Sequence, residues 1–234
     1  MPTALITGAS AGLGRALTNS LHHNGWDVIA TGRRTEPLAA VGAALGHGLH
    51  TVPGDITDPG HRDVLADQVR ERGHLDLLVH NASTIGTSPQ PMIAQLTPPV
   101  LEDIWQTNVA APLALTRALL PILRSSTAIV LSISSDAAVE HYEGWGGYAA
   151  SKAALDHLTL TLGGEEPALA TYAVDPGDMR TELHQQAFPG EDISDRPEPE
   201  SVVPGLLQLI STRPASGRYR AADFTPTAVS GAEL

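Results

Sequence analysis

Thr3-Ala4-Leu5-Ile6-Thr7-Gly8-Ala9-Ser10-Ala11-Gly12-Leu13-Gly14 is the stretch on which the fold turns. Thr3 to Thr7 is a short apolar run with β-branched residues, as a buried strand requires, and it passes straight into a turn with glycines at 8, 12 and 14. Those spacings of four and two match neither the G-x-G-x-x-G fingerprint nor a phosphate loop, because no lysine follows. The physics is shared with both. Glycine adopts positive φ and lets a diphosphate approach the backbone, while the helix that follows presents unpaired N–H groups and the positive end of its dipole. Gly8, Ser10, Gly12, Leu13 and Gly14 are therefore candidate cofactor-binding residues; without a ligand the same stretch is a tight strand-to-helix turn.

Working outward, apolar runs alternate with amphipathic segments. Residues 3–7, 27–31, 49–52, 75–80, 128–133 and 171–174 read as strands, and 13–24, 36–46, 59–72, 98–124, 147–163 and 199–212 as helices. Pro37, Pro59, Pro98 and Pro99 fall near helix starts, where a missing N–H costs little. The alternation predicts an α/β fold, a doubly wound parallel sheet with helices on both faces. No repeat or composition shift divides the chain, so one domain over 1–234 is expected. Loops 83–99 and 184–200 both follow strands and would lie at the carboxyl edge of the sheet, where ligands bind.

Composition narrows the function. The 26 acids against 14 bases give a formal charge of −12, which repels phosphate backbones and argues against nucleic-acid or anionic-membrane binding. The absence of cysteine removes disulfides, thiol nucleophiles and cysteine-ligated metals. Among 10 histidines none has a metal-binding spacing, so no metal is expected; His22, His23, His47 and His61 read as surface residues. The N-terminus lacks a basic leader, and no apolar run reaches the roughly 20 residues of a membrane span, so the expectation is a cytoplasmic protein.

The second strand ends at Ala30-Thr31-Gly32-Arg33-Arg34, about 20 residues beyond the glycines. An acid there would hold a ribose 2′-hydroxyl, and none is present. Gly32 leaves room, and Arg33, with Arg34 beside it, can pair with a 2′-phosphate, which favours NADP(H) over NAD(H).

Of the 14 basic residues only Lys152 is lysine. It lies four residues after Tyr148 in a helical segment, so phenol and ammonium share one face. A fixed cation favours the phenolate; moving a tyrosine from near pH 10 to near 7 takes roughly 4 kcal/mol, within reach of one desolvated cation together with a positive nicotinamide. The same pair on a solvated helix face would carry no chemistry.

The motifs TGASAGLG, HNAS, NV, ISS, YAASK and DPG occur in this order, and together they resemble the short-chain dehydrogenase/reductase family in its branch of roughly 250 residues. The resemblance implies a Rossmann-like fold, Tyr148 as general acid/base, Lys152 lowering its pKa and holding the nicotinamide ribose, and Ser135 bonding the substrate carbonyl. Asn108 would offer its backbone carbonyl to a water linked to the lysine. It also implies Asp55 and Ile56 at the adenine edge, Asn81 and Ala82 along the cofactor cleft, and Pro176, Gly177 and Thr181 at the carboxamide. Association as a homodimer or homotetramer through two long helices follows from the same resemblance.

Pro112 gives the Asn108 role a separate physical basis, because a residue without N–H four positions on cannot occupy that carbonyl; a kinked helix would have the same sequence. Ser134 adjoins Ser135, and side-chain alternation predicts that only one faces the site. His141, Trp145, Met179, Leu183 and His184 flank it in sequence. Ser83 stands where the family has glycine, and the C-terminal part is short, which points to a reduced lid. The expected activity is hydride transfer between NADP(H) and a small carbonyl or alcohol substrate; the alternative is an NADP(H) sensor without turnover.

Overall fold

The computed structural model describes residues 1–225; residues 226–234 of the expected domain lie outside them. The strands are β1 (Thr3–Thr7), β2 (Asp27–Gly32), β3 (Leu49–Pro53), β4 (Leu77–His80), β5 (Ile129–Ile133), β6 (Ala170–Asp175) and β7 (Gly217–Arg220). They form one sheet in the order β3-β2-β1-β4-β5-β6-β7, and every pairing is parallel. The order reverses between β1 and β4, which opens a crevice at their carboxyl ends.

The helices are α1 (Gly12–His23), α2 (Thr35–Leu45), α3 (Pro59–Arg72), α4 (Pro98–Trp105), α5 (Ala111–Ser125), α6 (Gly146–Glu165), α7 (Glu182–Ala187) and α8 (Val203–Thr212). Alternate residues of the strands feed two cores. Ala4, Ile6, Leu77 and Val79 pack with α1, α2 and α8, and Leu5, Leu78 and Val130 pack with α3 and α5. Burial on both faces explains why β1, β4, β5 and β6 are almost uninterrupted apolar runs. No helix among the described residues is long and apolar enough to cross a membrane.

Three local differences from the sequence reading have physical causes. The single helix expected over 98–124 is interrupted by a π-turn at Gln106–Ala110, in which the Ala111 N–H reaches back five residues to the Gln106 carbonyl. That extra residue places Pro112 in the first turn of α5, where its ring and missing N–H are tolerated. The expected loop from 184 is helical at its start, because the Thr181 hydroxyl accepts from the His184 N–H and nucleates α7. β7 was not expected at all: Gly-Arg-Tyr-Arg is short and half charged, yet it pairs with β6 from Tyr172↔Gly217 to Asp175↔Arg220.

Gly14 sets how closely α1 approaches the sheet. A Cβ there would meet the Gly8 carbonyl oxygen and Asn81 Nδ2 at 2.4 Å, and the first of these is backbone that cannot swing aside. Gly14→Ala is expected to lower stability by about 1–3 kcal/mol, the range for overpacking a tight contact. Urea denaturation checks this, and an unchanged midpoint would show that helix and turn can separate at little cost.

Candidate active site

The crevice is an open cleft of about 610 Å³ along the carboxyl ends of the strands. At one end the turn after β1 exposes Gly8, Ser10, Gly12 and Leu13. Gly8 and Gly12 have φ of +69° and +51°, where a side chain is strained, and a Cβ on Gly8 would lie 2.9 Å from Ala82 Cα. The Asn81 amide ties the turn down by donating to the Thr7 and Gly8 carbonyls at 2.9 and 3.1 Å. Thr7 Oγ1 accepts from the N–H groups of both Asn81 and Ala82. The result is a tied-down turn at a helix N-terminus with glycine at its two positive-φ positions, and these residues fit a diphosphate. Gly14 itself lies beneath the turn, outside the cleft lining.

Next along the cleft come Gly32, Arg33, Arg34, Asp55 and Ile56. Arg34 is held by Glu182 of α7 at 2.7 Å, so it bridges the cleft. Arg33 makes no ion pair among the described residues. Asp55 Oδ1 accepts from the Thr57 N–H and hydroxyl; burial opposes ionisation, and these bonds, with Arg33 and His61, outweigh it and lower the carboxyl pKa. His61, expected at the surface, is buried beneath Gly54 and bonds Thr31 Oγ1 at 2.7 Å.

At the other end lie Ser134, Ser135, Tyr148 and Lys152, with Pro176, Gly177 and Thr181 on the facing wall. Both serines line the cleft; Ser134 is buried with its hydroxyl on the Ser135 carbonyl at 3.4 Å, and Ser135 is the more exposed. Lys152 is 2% exposed, donates to the Ile133 carbonyl at 2.7 Å, and sits 5.5 Å from the Tyr148 ring centroid. Burial lowers its pKa to about 8, opposed by Asp156 one turn further along α6. The lowered phenol expected from the lysine is not what the protein groups produce alone. Burial raises the Tyr148 pKa, Asp136 and Asp175 add to that, and the hydroxyls of Ser135 and Ser83 oppose it.

Asn108 does not line the cleft. Its side chain is fully engaged, donating to the Thr84 carbonyl and to Ser151 Oγ and accepting from the Thr84 N–H, each at 2.9 Å. Only its backbone, in the π-turn before Pro112, remains for any role toward the lysine. Trp145, Met179, Leu183 and His184 line the cleft, and His141 does not.

Sequence reading missed several groups. Ser83, which replaces a glycine, bonds Asn108 Oδ1 at 3.3 Å and lies against the Tyr148 phenol. Asp136 accepts from the Ser135 hydroxyl at 2.9 Å, from the Ala137 N–H at 2.7 Å and from Tyr142 at 2.8 Å. Arg218 of β7 donates to the Ser135 carbonyl and to Asp156 at 2.9 and 3.0 Å. Asp136 was legible as the residue after Ser135; Arg218 was not, because its strand was not.

The family model described as short chain dehydrogenase matches residues 2–192. The chain belongs to the short-chain dehydrogenase family. Among its relatives is serine 3-dehydrogenase of Agrobacterium fabrum, 37% identical over 192 residues, covering 77% of this chain and 73% of that one. Two solved family members carry a nucleotide. A short-chain dehydrogenase of Shigella flexneri complexed with NADP is 29% identical with a TM-score of 0.86, covering 94% of this chain and 97% of that one. One of Escherichia coli complexed with NADPH is also 29% identical, with a TM-score of 0.85 and coverage of 94% and 96%.

One position in this short-chain dehydrogenase makes the stability of the fold pH-sensitive. His80 is sealed at the end of β4 with Nε2 2.8 Å from Thr116 Oγ1, and burial lowers its pKa from 6.5 to about 4. Between those values the unfolded chain binds a proton that the folded chain refuses, so stability falls as pH drops through that window. His80→Gln, which keeps a partner for Thr116, should remove on the order of 3 kcal/mol of that fall. Urea denaturation at neutral pH and near pH 4 measures it; an equal acid loss in both proteins would contradict the assignment.

Proposed function

We propose that this protein is an NADP(H)-dependent oxidoreductase that interconverts a carbonyl and an alcohol, with Tyr148 as general acid/base. The observation that carries the reading is the meeting of Ser135, Tyr148 and Lys152 at one end of a cleft whose other end is a glycine cradle. When bound, the nicotinamide supplies or accepts the hydride. Gly8, Ser10, Gly12 and Leu13 would hold the diphosphate, Arg33 the 2′-phosphate, and Pro176, Gly177 and Thr181 the carboxamide. Tyr148 donates its proton to the substrate oxygen in reduction and takes one in oxidation, while the Ser135 hydroxyl bonds the same oxygen. Lys152 keeps two N–H groups beyond the one on Ile133, enough to reach a ribose and a water on the Asn108 carbonyl. Lys152 beside the ring would favour the phenolate against the burial that raises the Tyr148 pKa. All of this lies in one domain. Exposed Leu113 on α5 and Leu160 on α6 support a homodimer or homotetramer through those helices.

A nucleotide sensor would need the cradle and not the tyrosine. Tyr148→Phe is expected to cost about 10²–10⁴ in turnover with cofactor affinity retained, read by absorbance of the reduced cofactor across a panel of ketones, aldehydes and alcohols. Turnover unaffected by the substitution would refute the acid/base assignment.

Arg33→Ala should weaken NADP(H) by about tenfold or more and NAD(H) little, the loss of one charge-assisted phosphate contact. Titration of cofactor fluorescence tests it. Tighter NAD(H) than NADP(H) binding by the parent protein would overturn the 2′-phosphate assignment.

A further inference from the structure

We propose that Asp136 is a specificity-determining anion that binds a substrate ammonium next to the reacting carbon, so that the preferred substrates are vicinal amino alcohols and the matching α-amino ketones. The proposal rests on the oxidoreductase reading above and deepens it.

The argument starts from how completely the carboxylate is held. Oδ1 accepts from Ser135 Oγ and the Ala137 N–H, and Oδ2 accepts from the Tyr142 hydroxyl. Its own backbone N–H is a further donor, and the Tyr142 hydroxyl is the one side-chain donor on Oδ2 among the described residues. The group lines the cleft. Its pKa stays below the ordinary value: burial opposes this, and the bonds from Tyr142, Ser135 and the Ala137 and Asp136 N–H groups outweigh it. It is a fixed negative charge at the cleft wall.

Distance then sets the chemistry of the occupant. The substrate oxygen must lie one hydrogen bond from Ser135 Oγ, and Oδ1 lies 2.9 Å from that same atom. Substrate oxygen and carboxylate are thus at most roughly 6 Å apart. An ammonium one carbon beyond the carbinol spans that gap, with its oxygen on Ser135 and its nitrogen on Asp136. A second feature, independent of the carboxylate, favours a cation here. Trp145 lines the same part of the cleft, with ring centroids 6.2 Å from Tyr142 and 5.6 Å from Tyr148, so an aromatic wall of the kind that attracts an ammonium stands beside the carboxylate.

The arrangement couples binding to catalysis. Ser135 gives its only proton to Asp136, and a carbonyl that needs that proton must draw it away. An ammonium on Asp136 neutralises part of the carboxylate's charge, which weakens its hold on the serine proton and eases the turn of the hydroxyl toward the substrate oxygen. A neutral substrate has no such lever.

The test compares isopropanolamine with its neutral analogues propylene glycol and sec-butanol as substrates for NADP⁺ reduction, and aminoacetone with butanone in the reverse direction. In the parent protein the amines should have kcat/KM about ten- to a hundredfold higher, the worth of one charge-assisted hydrogen bond. Asp136→Asn keeps an acceptor for Ser135 and Ala137 and removes the charge; it should collapse that ratio toward one, chiefly by raising KM for the amines. Tyr142→Phe, which removes the Tyr142 bond from Oδ2, should leave the amine preference in place. Equal rates for amine and neutral substrates in the parent, or a ratio untouched by Asp136→Asn, would overturn the proposal while leaving the oxidoreductase reading intact. No turnover of any member of the panel, with cofactor bound, would instead defeat that underlying reading.

Discussion

Everything at the active end depends on keeping one ammonium out of water. Lys152 is the chain's only lysine and is 2% exposed, and an isolated buried charge of that kind is strongly unfavourable. Three partners make it tolerable. The Ile133 carbonyl accepts directly, Asp156 supplies the opposite charge one helical turn away, and the Tyr148 ring lies against it. Asp156 is in turn paired with Arg218, whose other arm holds the Ser135 carbonyl. The end of β5 is therefore gripped from two sides, by Lys152 at Ile133 and by Arg218 at Ser135, and the Ser135 hydroxyl is carried on that gripped segment.

This explains why the edge strand matters to the chemistry. β7 adds little apolar surface, but it brings Arg218 to the back of the site. An arginine suits that place because its planar fork serves two acceptors at once, whereas the position beneath the phenol needs the compact, rotatable charge of a lysine. The chain uses arginine for every other basic position and keeps lysine here.

Much of this was legible in sequence because it is written in local pattern. Six of the strands, and the glycine turn between β1 and α1, follow from short apolar runs and from the positions of Gly8, Gly12 and Gly14. The placing of Ser135, Tyr148 and Lys152 in one cleft follows from motif order. What was not legible depends on partners distant in the chain. Arg34 reads in sequence only as a neighbour of Arg33 at the 2′-phosphate position, and its ion pair with Glu182, far along the chain, is a tertiary fact. His61 read as surface because its place under Gly54 is a tertiary fact. The raised phenol of Tyr148 was missed for the same reason: the i, i+4 lysine is visible in sequence, and the burial and the carboxylates of Asp136 and Asp175 that raise the phenol are not.

The central claim is that Lys152 is a buried charge in the cofactor cleft beside Tyr148. Because the chain has a single lysine, labelling lysine with ¹³C and ¹⁵N gives one side-chain Nζ resonance with no assignment problem. Its titration should centre near pH 8, well below the ordinary 10.5, and the resonance should move when NADP⁺ is added. A titration near 10.5 that NADP⁺ leaves unchanged would mean a solvated surface lysine, and the account of the site would fail with it.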